Sequence, residues 1–265
     1  MITCVNGVDF KLHELVSKQL HISKAEEKKE EQKGEETKEE VKEEVQEVQQ
    51  KKKSLGPLPR GEVSETEAEW RKQVILNGHP SAWIGHEDFA WFLCDWLKPK
   101  TIVDLGVDWG YSTFVFAAAK QGKVYGIDHF TGDPHTGQRD TLSHVTYVVS
   151  LLRGAGCNIE IMKADFTQAA KDWNRGPIQL MHLDGFHEYQ QAKSDFTNWL
   201  PHLDKEMGVL ICHDTSSFPS VLAVFDEAPK DLFKVRFLHS AGLGVLSYNR
   251  ELIETISRKY ALPMY

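Results

Sequence analysis

Long apolar runs are missing from this 265-residue chain. No window approaches the roughly eighteen apolar residues that a bilayer-spanning helix needs, which excludes a helical membrane protein. Cysteine is scarce: Cys4, Cys94, Cys157 and Cys212 stand far apart and form no C-x-x-C pair. Neither a disulfide framework nor a cysteine zinc site is expected, and a reducing compartment fits. Basic charge is in deficit, with 31 Lys and Arg against 39 Asp and Glu and a net charge of −8. Nucleic acid is therefore not the expected partner, because non-specific binders need a basic face. The first twenty residues carry Asp9, Lys11, His13, Glu14 and Lys18 among the apolar ones. That pattern lacks the apolar region of a signal peptide, so the expectation is a cytoplasmic protein with no membrane partner.

Three zones divide the chain. Residues 1–22 form a short mixed segment. Residues 23–60 read as a Lys/Glu-rich linker or single helix. From Lys24 to Lys53 there is no aromatic residue and about two-thirds of positions are charged, a composition that cannot bury enough surface to fold alone. Val41, Val45 and Val48 make one weak helical stripe, short of the three or four heptads of a coiled coil. A solvated segment is the favoured reading, and a homo-oligomer stays open. The run LGPLPRG at 55–61 marks the boundary, and 61–265 reads as globular.

In that part, short apolar runs alternate with amphipathic ones. Strands are predicted at 101–105, 123–127, 158–162, 178–183, 208–212, 233–238 and 244–248. Helices are predicted over 86–97, with Phe89, Phe92, Leu93 and Trp96 on one face, over 111–120, and over 187–200, with Tyr189, Ala192, Phe196 and Trp199 aligned. Strand–helix alternation with apolar strands predicts an α/β fold whose parallel sheet is covered on both faces. Such sheets bind ligands at the carboxyl ends of their strands.

The strand ends carry the chemistry. After the first strand, VDLGVDWGYST (103–113) sets Asp104 before a Gly106-x-x-x-Gly110 turn into a helix. The glycines let backbone approach a ligand, and the helix N-terminus offers free N–H groups. Asp108 stands where a dinucleotide fingerprint has glycine. It is a poor neighbour for a pyrophosphate but suits an ammonium group. The second strand ends in Asp128, which can accept both hydroxyls of a ribose. After the third strand, Asp165 and Phe166 can meet the edge and face of an adenine, and Asp165 can equally cap the next helix. The fourth strand ends in HLDGFHEY (182–189) and the fifth in CHDT (212–215). Asp184, His187, His213 and Asp214 then face one cleft. These groups suit Mg2+ or Mn2+, or act as general bases without metal. His182 reads as a satisfied core histidine, Asp195 as a solvated or salt-bridging residue, and His135 as an exposed loop histidine within reach of a substrate.

VDLGVDWGYST, GIDHF and LDGFHEY together resemble the motifs of the class I S-adenosylmethionine-dependent methyltransferases. SAWIGHEDFAWFL, GDPHTG, DGFHEYQQAKSDFTNWLPHL and HDT are similar to the macrocin- and novobiocin-type O-methyltransferase branch with its glycan-associated relatives, over roughly residues 70 to 250. The resemblance implies a Rossmann-like three-layer α/β/α sandwich behind the charged N-terminal extension, with a seven-stranded, mostly parallel sheet of order 3-2-1-4-5-7-6. It implies that S-adenosylmethionine is held at its methionine end by Asp104, Gly106, Asp108, Gly110 and Ser112, at its ribose by Asp128 with His129 beside it, and at its adenine by Asp165 and Phe166. It implies a metal set of Asp184, His213 and Asp214, with His213 standing where relatives carry a carboxylate. Asp184, His187 and His213 are the expected catalytic groups, GDPHTG a lid, and a sugar or small-molecule hydroxyl the acceptor. A nicotinamide-dependent oxidoreductase, or a scaffold that keeps the fold without activity, are the competing readings.

Overall fold

The computed structural model describes residues 65–75, 79 and 81–265. The predicted segment 1–22, the Lys/Glu-rich stretch 23–60 with its Val41–Val48 stripe, and the boundary at 61 lie outside the described residues.

Seven strands form one sheet in the order β3-β2-β1-β4-β5-β7-β6. They are β1 (Thr101–Leu105), β2 (Lys123–Asp128), β3 (Ile159–Lys163), β4 (Leu180–Leu183), β5 (Val209–His213), β6 (Phe233–Phe237) and β7 (Leu243–Ser247). β1 to β5 pair in parallel, and β7 runs antiparallel to both β5 and β6. The implied order and the antiparallel final hairpin are both found. Each predicted strand lies within a residue or two of the observed one.

Alternation along the strands divides the interior. Ile102 faces one core and Val103 and Leu105 the other, as successive side chains on a strand must. On the Ile102 side pack α1 (Glu65–Ile75), α2 (Glu87–Leu97), α3 (Tyr111–Ala118), α4 (Leu142–Gly154) and α8 (Arg250–Tyr260). On the other side pack α5 (Phe166–Lys171), α6 (Tyr189–Trp199) and α7 (Pro219–Asp226). All eight residues of α3 are buried, which its sequence YSTFVFAA permits. The helix is held under α1 and α2 by two indoles: Trp70 Nε1 donates to Ala118 O at 3.2 Å and Trp91 Nε1 to Val115 O at 2.9 Å. No helix among the described residues is long and apolar enough to cross a membrane.

Asp195 departs from expectation. It is 5% exposed, in neither a solvated nor a salt-bridged position. Its Oδ1 accepts from Gln191 Nε2 at 2.8 Å, and burial pushes its carboxyl up to about 7. The reason is periodicity: Asp195 sits three residues after Ala192 and four before Trp199, inside the apolar stripe of α6.

Candidate active site

The turn after β1 is shaped by backbone that only glycine tolerates. Gly106 has φ +102°, and a Cβ there would collide with the carbonyl oxygen of Asp184. The ends of β1 and β4 can approach only because that Cβ is missing. Gly110 has φ +93° and covers the ring of Phe114. It shapes the start of α3 and does not line the cavity.

Asp104 is corrected by the structure. It is fully buried and lies beneath the cavity rather than in it. Asp104 and His182 are register partners on β1 and β4, so their side chains share a face. His182 Nδ1 lies 2.6 Å from Asp104 Oδ1, and Trp83 Nε1 donates to His182 Nε2 at 3.0 Å. An indole N–H only donates, so Nε2 accepts and Nδ1 carries the proton toward Asp104. Asp104 Oδ2 accepts from Ser112 Oγ at 2.8 Å and from the Thr113 hydroxyl. Asp104 thus fixes the first turn of α3, and His182 is the satisfied core histidine expected.

Above this floor opens a cavity of about 310 Å3. Gly106, Asp108, Ser112, Asp128, His129 and Phe166 line one part of it, and Asp184, His187, His213 and Asp214 another. Asp128 Oδ1 accepts from Phe130 N at 2.6 Å and Oδ2 from Asp108 N at 2.9 Å. A carboxylate offers about four acceptor sites, so capacity is left for a ribose diol. His129 stands half-exposed at the rim, with Nδ1 accepting from Thr131 N at 3.1 Å. Asp165 does not line the cavity. It is exposed and caps α5 by accepting from Gln168 N at 3.1 Å.

Asp108 is not an open anion. Its Oδ2 lies 2.7 Å from Arg139 Nη2. Burial, set against the Arg139 charge, raises its carboxyl above the ordinary value. Arg139 arrives on the 129–141 loop, which contains the expected GDPHTG lid and is braced internally. Asp133 Oδ1 accepts from His135 N at 2.8 Å and Thr136 N at 2.7 Å, Gly137 N donates to Asp133 O at 2.8 Å, and Arg139 N to Thr131 O at 3.0 Å. Near the loop's tip, His135 lies 8° from parallel with the His187 ring, with the two Nδ1 atoms 3.3 Å apart, and it also stacks on Phe218. It is an exposed loop histidine, as expected, and it touches the site.

Asp184, His187 and Asp214 each aim one ligand atom into a space where all lie within 4.8 Å of one another. Asp214 holds its place with φ 63°, a left-handed conformation that Asp tolerates better than most residues. His187 Nε2 is 2.6 Å from Asp214 Oδ2 and 3.8 Å from Asp184 Oδ1. Among the described residues this buried nitrogen makes no hydrogen bond, and its 2.6 Å approach to Asp214 is an ion-pair contact. Burial would lower the His187 pKa, but Asp184 and Asp214 outweigh it and raise it to about 9.

His213 stands differently from expectation. Its Nε2 donates to Ser240 O at 3.1 Å, and its Nδ1 lies 3.3 Å from Asp184. Burial opposes its charge, but Asp184, then Asp214, raise it to about 10. Its near-buried imidazolium is a counter-charge rather than a ready base, and His187 takes its place in the three-donor cluster. In turn, the charge of His213 overcomes the cost of burial at Asp184 and holds that carboxyl well below its usual range.

One cavity thus joins Gly106, Asp108, Asp128 and Phe166 to the acidic and imidazole groups Asp184, His187, His213 and Asp214 across the tips of β1, β2, β4 and β5. Residues 103–215, which hold both sets, match the family model Methyltransf_24, described as a methyltransferase domain. Over these residues, fewer than half of the chain, the sequence is similar to that methyltransferase domain. The fold is shared with a candidate caffeoyl-CoA O-methyltransferase from Staphylococcus aureus at a TM-score of 0.52 and 15% identity, covering 69% of this chain and 92% of that one. The chain is 29% identical over 191 residues to the uncharacterized protein y4gI of Sinorhizobium fredii, 67% of this chain. It spans only about a fifth, 20%, of that relative's length.

Sequence reasoning passed over Arg139, Trp83 and Ser240. Arg139 and Ser240 reach the site from loops without periodicity, and no spacing signals a contact between residues 31 positions apart such as Asp108 and Arg139. Trp83 was visible as an apolar residue before α2, but its indole partner could not be read without the β1–β4 register.

Proposed function

We propose that this protein transfers the methyl group of S-adenosylmethionine to a hydroxyl of a sugar or other small polar acceptor, with a divalent cation in attendance. The observation that carries the reading is the convergence of Asp184, His187 and Asp214 on one point of the cavity that Asp128 and Phe166 also line. Asp128 accepts from the ribose hydroxyls, and Phe166 offers its ring to the adenine. The likeness to the macrocin- and novobiocin-type branch supports the hydroxyl acceptor, and the net charge of −8 supports an acceptor that is not a nucleic acid.

The reaction forms an O–CH3 bond and breaks the sulfonium S–CH3 bond, whose electron pair returns to sulfur. The sulfonium is already a good leaving group, so the protein must orient the acceptor and take its proton. The donor set fits Mg2+ or Mn2+: two carboxylates and an imidazole whose buried Nε2 faces them and makes no hydrogen bond among the described residues. Bound there, a divalent cation would lower the pKa of an acceptor hydroxyl. Charge favours the exchange. Two imidazoliums balance Asp184 and Asp214, and a divalent cation between neutral imidazoles does the same. Without a cation, His187 Nε2 in its neutral form would instead be the base that takes the hydroxyl proton; in either case the N–H of His213 stays with Ser240.

Incubation with methyl-labelled cofactor and a panel of sugars, glycans and small hydroxylated compounds, followed by mass spectrometry, tests this. An O-methylated sugar or small alcohol is the expected product. Label found only on nitrogen, or on nucleic acid, would overturn it.

A further inference from the structure

S-Adenosylmethionine carries two positive groups, an ammonium and a sulfonium, and one negative group, its α-carboxylate. The cavity offers Asp108, Asp128, Asp133, Asp184 and Asp214, an acidic surround suited to the positive groups. Arg139 is the single Lys or Arg among the described residues that line it. We propose that Arg139 anchors the α-carboxylate of the cofactor's amino-acid tail while Asp108 holds the ammonium, an inference that rests on the cofactor reading above.

The geometry supports this division. Asp108 N donates to Asp128 Oδ2, which places the Asp108–Arg139 pair beside the ribose subsite, where the tail begins. Arg139 spends one nitrogen on Asp108, with Nη2 at 2.7 Å, while its buried Nε has no hydrogen-bond partner among the described residues. A guanidinium has five N–H donors in a planar fork matched to carboxylates. One edge therefore answers Asp108, and the remaining donors are left for a second carboxylate. The side chain is held in place from its own loop: Arg139 N donates to Thr131 O, and Arg139 Cγ lies 3.1 Å from where a Cβ on Gly132 would stand. The glycine leaves room for that close packing.

Titration calorimetry on the full chain with two probes tests the assignment: S-adenosylmethionine, and its decarboxylated analogue, which keeps the sulfonium and an amine but lacks the carboxylate. Wild-type protein should prefer the carboxylate-bearing compound. Arg139→Met should weaken that compound by about tenfold or more, the scale of a charge-assisted hydrogen bond, and bind the analogue as well as or better than wild type. The preference then narrows or inverts, and Arg139→Lys should restore part of it. A role confined to bracing the loop predicts equal losses for both probes, and that result would overturn the inference. Wild-type indifference to the carboxylate would do the same. If neither probe binds wild-type protein, the cofactor reading fails and this inference falls with it; binding without discrimination removes Arg139 alone.

Discussion

The backbone N–H of Asp108 donates to Oδ2 of Asp128 at 2.9 Å, so the glycine turn after β1 and the acidic end of β2 act as one unit. Asp128 Oδ1 meanwhile holds the start of the following loop through Phe130 N at 2.6 Å. One carboxylate therefore fixes two backbone segments around the proposed ribose subsite and still has acceptor capacity left.

Asp128→Ala removes that hub. Affinity for S-adenosylmethionine should fall more than about tenfold, because hydrogen bonds to a charged acceptor are worth roughly 1.5–3 kcal/mol each. Titration calorimetry reads the change, and unaltered affinity would remove Asp128 from the site.

The Trp83–His182–Asp104 chain is fully buried and lies below the cavity. His182→Ala would leave Asp104 and the Trp83 indole each short of a partner, and would open a void. A loss of about 2–4 kcal/mol is expected from unsatisfied polar groups plus cavity formation. Urea denaturation measures it. A loss under about 0.5 kcal/mol, the range of ordinary surface substitutions, would show that the chain of bonds is not what holds β1, β4 and α3 together.

Strand positions were legible because apolar runs such as TIVDL and GVLIC leave little freedom on a doubly covered sheet. The carboxylates that end strands, Asp128 and Asp184, could be assigned to a cleft because parallel topology forces their tips together. Asp104 misled because it too ends a strand, yet its alternation places it on the α3 side, under the turn. His213 and Asp214 are adjacent in sequence, but Ser240, a residue of the β6–β7 loop, decides which way the His213 ring hands out its proton. Asp195 could have been read. The spacing 192, 195, 196, 199 is a full apolar stripe, and an acidic residue inside it is a buried acid.

Asp214→Ala should abolish methyl transfer while sparing cofactor binding, since Asp214 belongs to the three-donor cluster and Asp128 does not. Full activity in this variant would end the assignment of the cleft. Chelator should suppress turnover and Mg2+ or Mn2+ restore it; turnover indifferent to chelator would leave His187 as an unassisted base.

Cation affinity should depend on pH in a definite direction. His187 and His213 are raised to about 9 and about 10, so at neutral pH both hold protons that a cation must displace. Affinity should therefore rise with pH between about 6 and 9, by up to tenfold per unit for each proton displaced. Mn2+ titrations across that range check this, and a flat profile would show that no imidazole proton is exchanged.

Asp195 supplies a test of stability that needs no ligand. Its folded pKa of about 7 lies above the usual carboxylate value of 3.8, so between those pH values the folded state keeps a proton that the unfolded chain gives up. Stability contributed by this group is complete below about pH 4 and declines as pH rises through about 7. Asp195→Asn keeps an oxygen to accept from Gln191 and removes the titration. The variant should match wild type closely at about pH 4 and below and exceed it at pH 8 by about 2–4 kcal/mol, the equivalent of a shift of this direction and size. Urea melts at the two pH values measure the difference. If the variant's advantage is the same at both, Asp195 is ionised in the folded protein and its burial is offset by a contact other than Gln191.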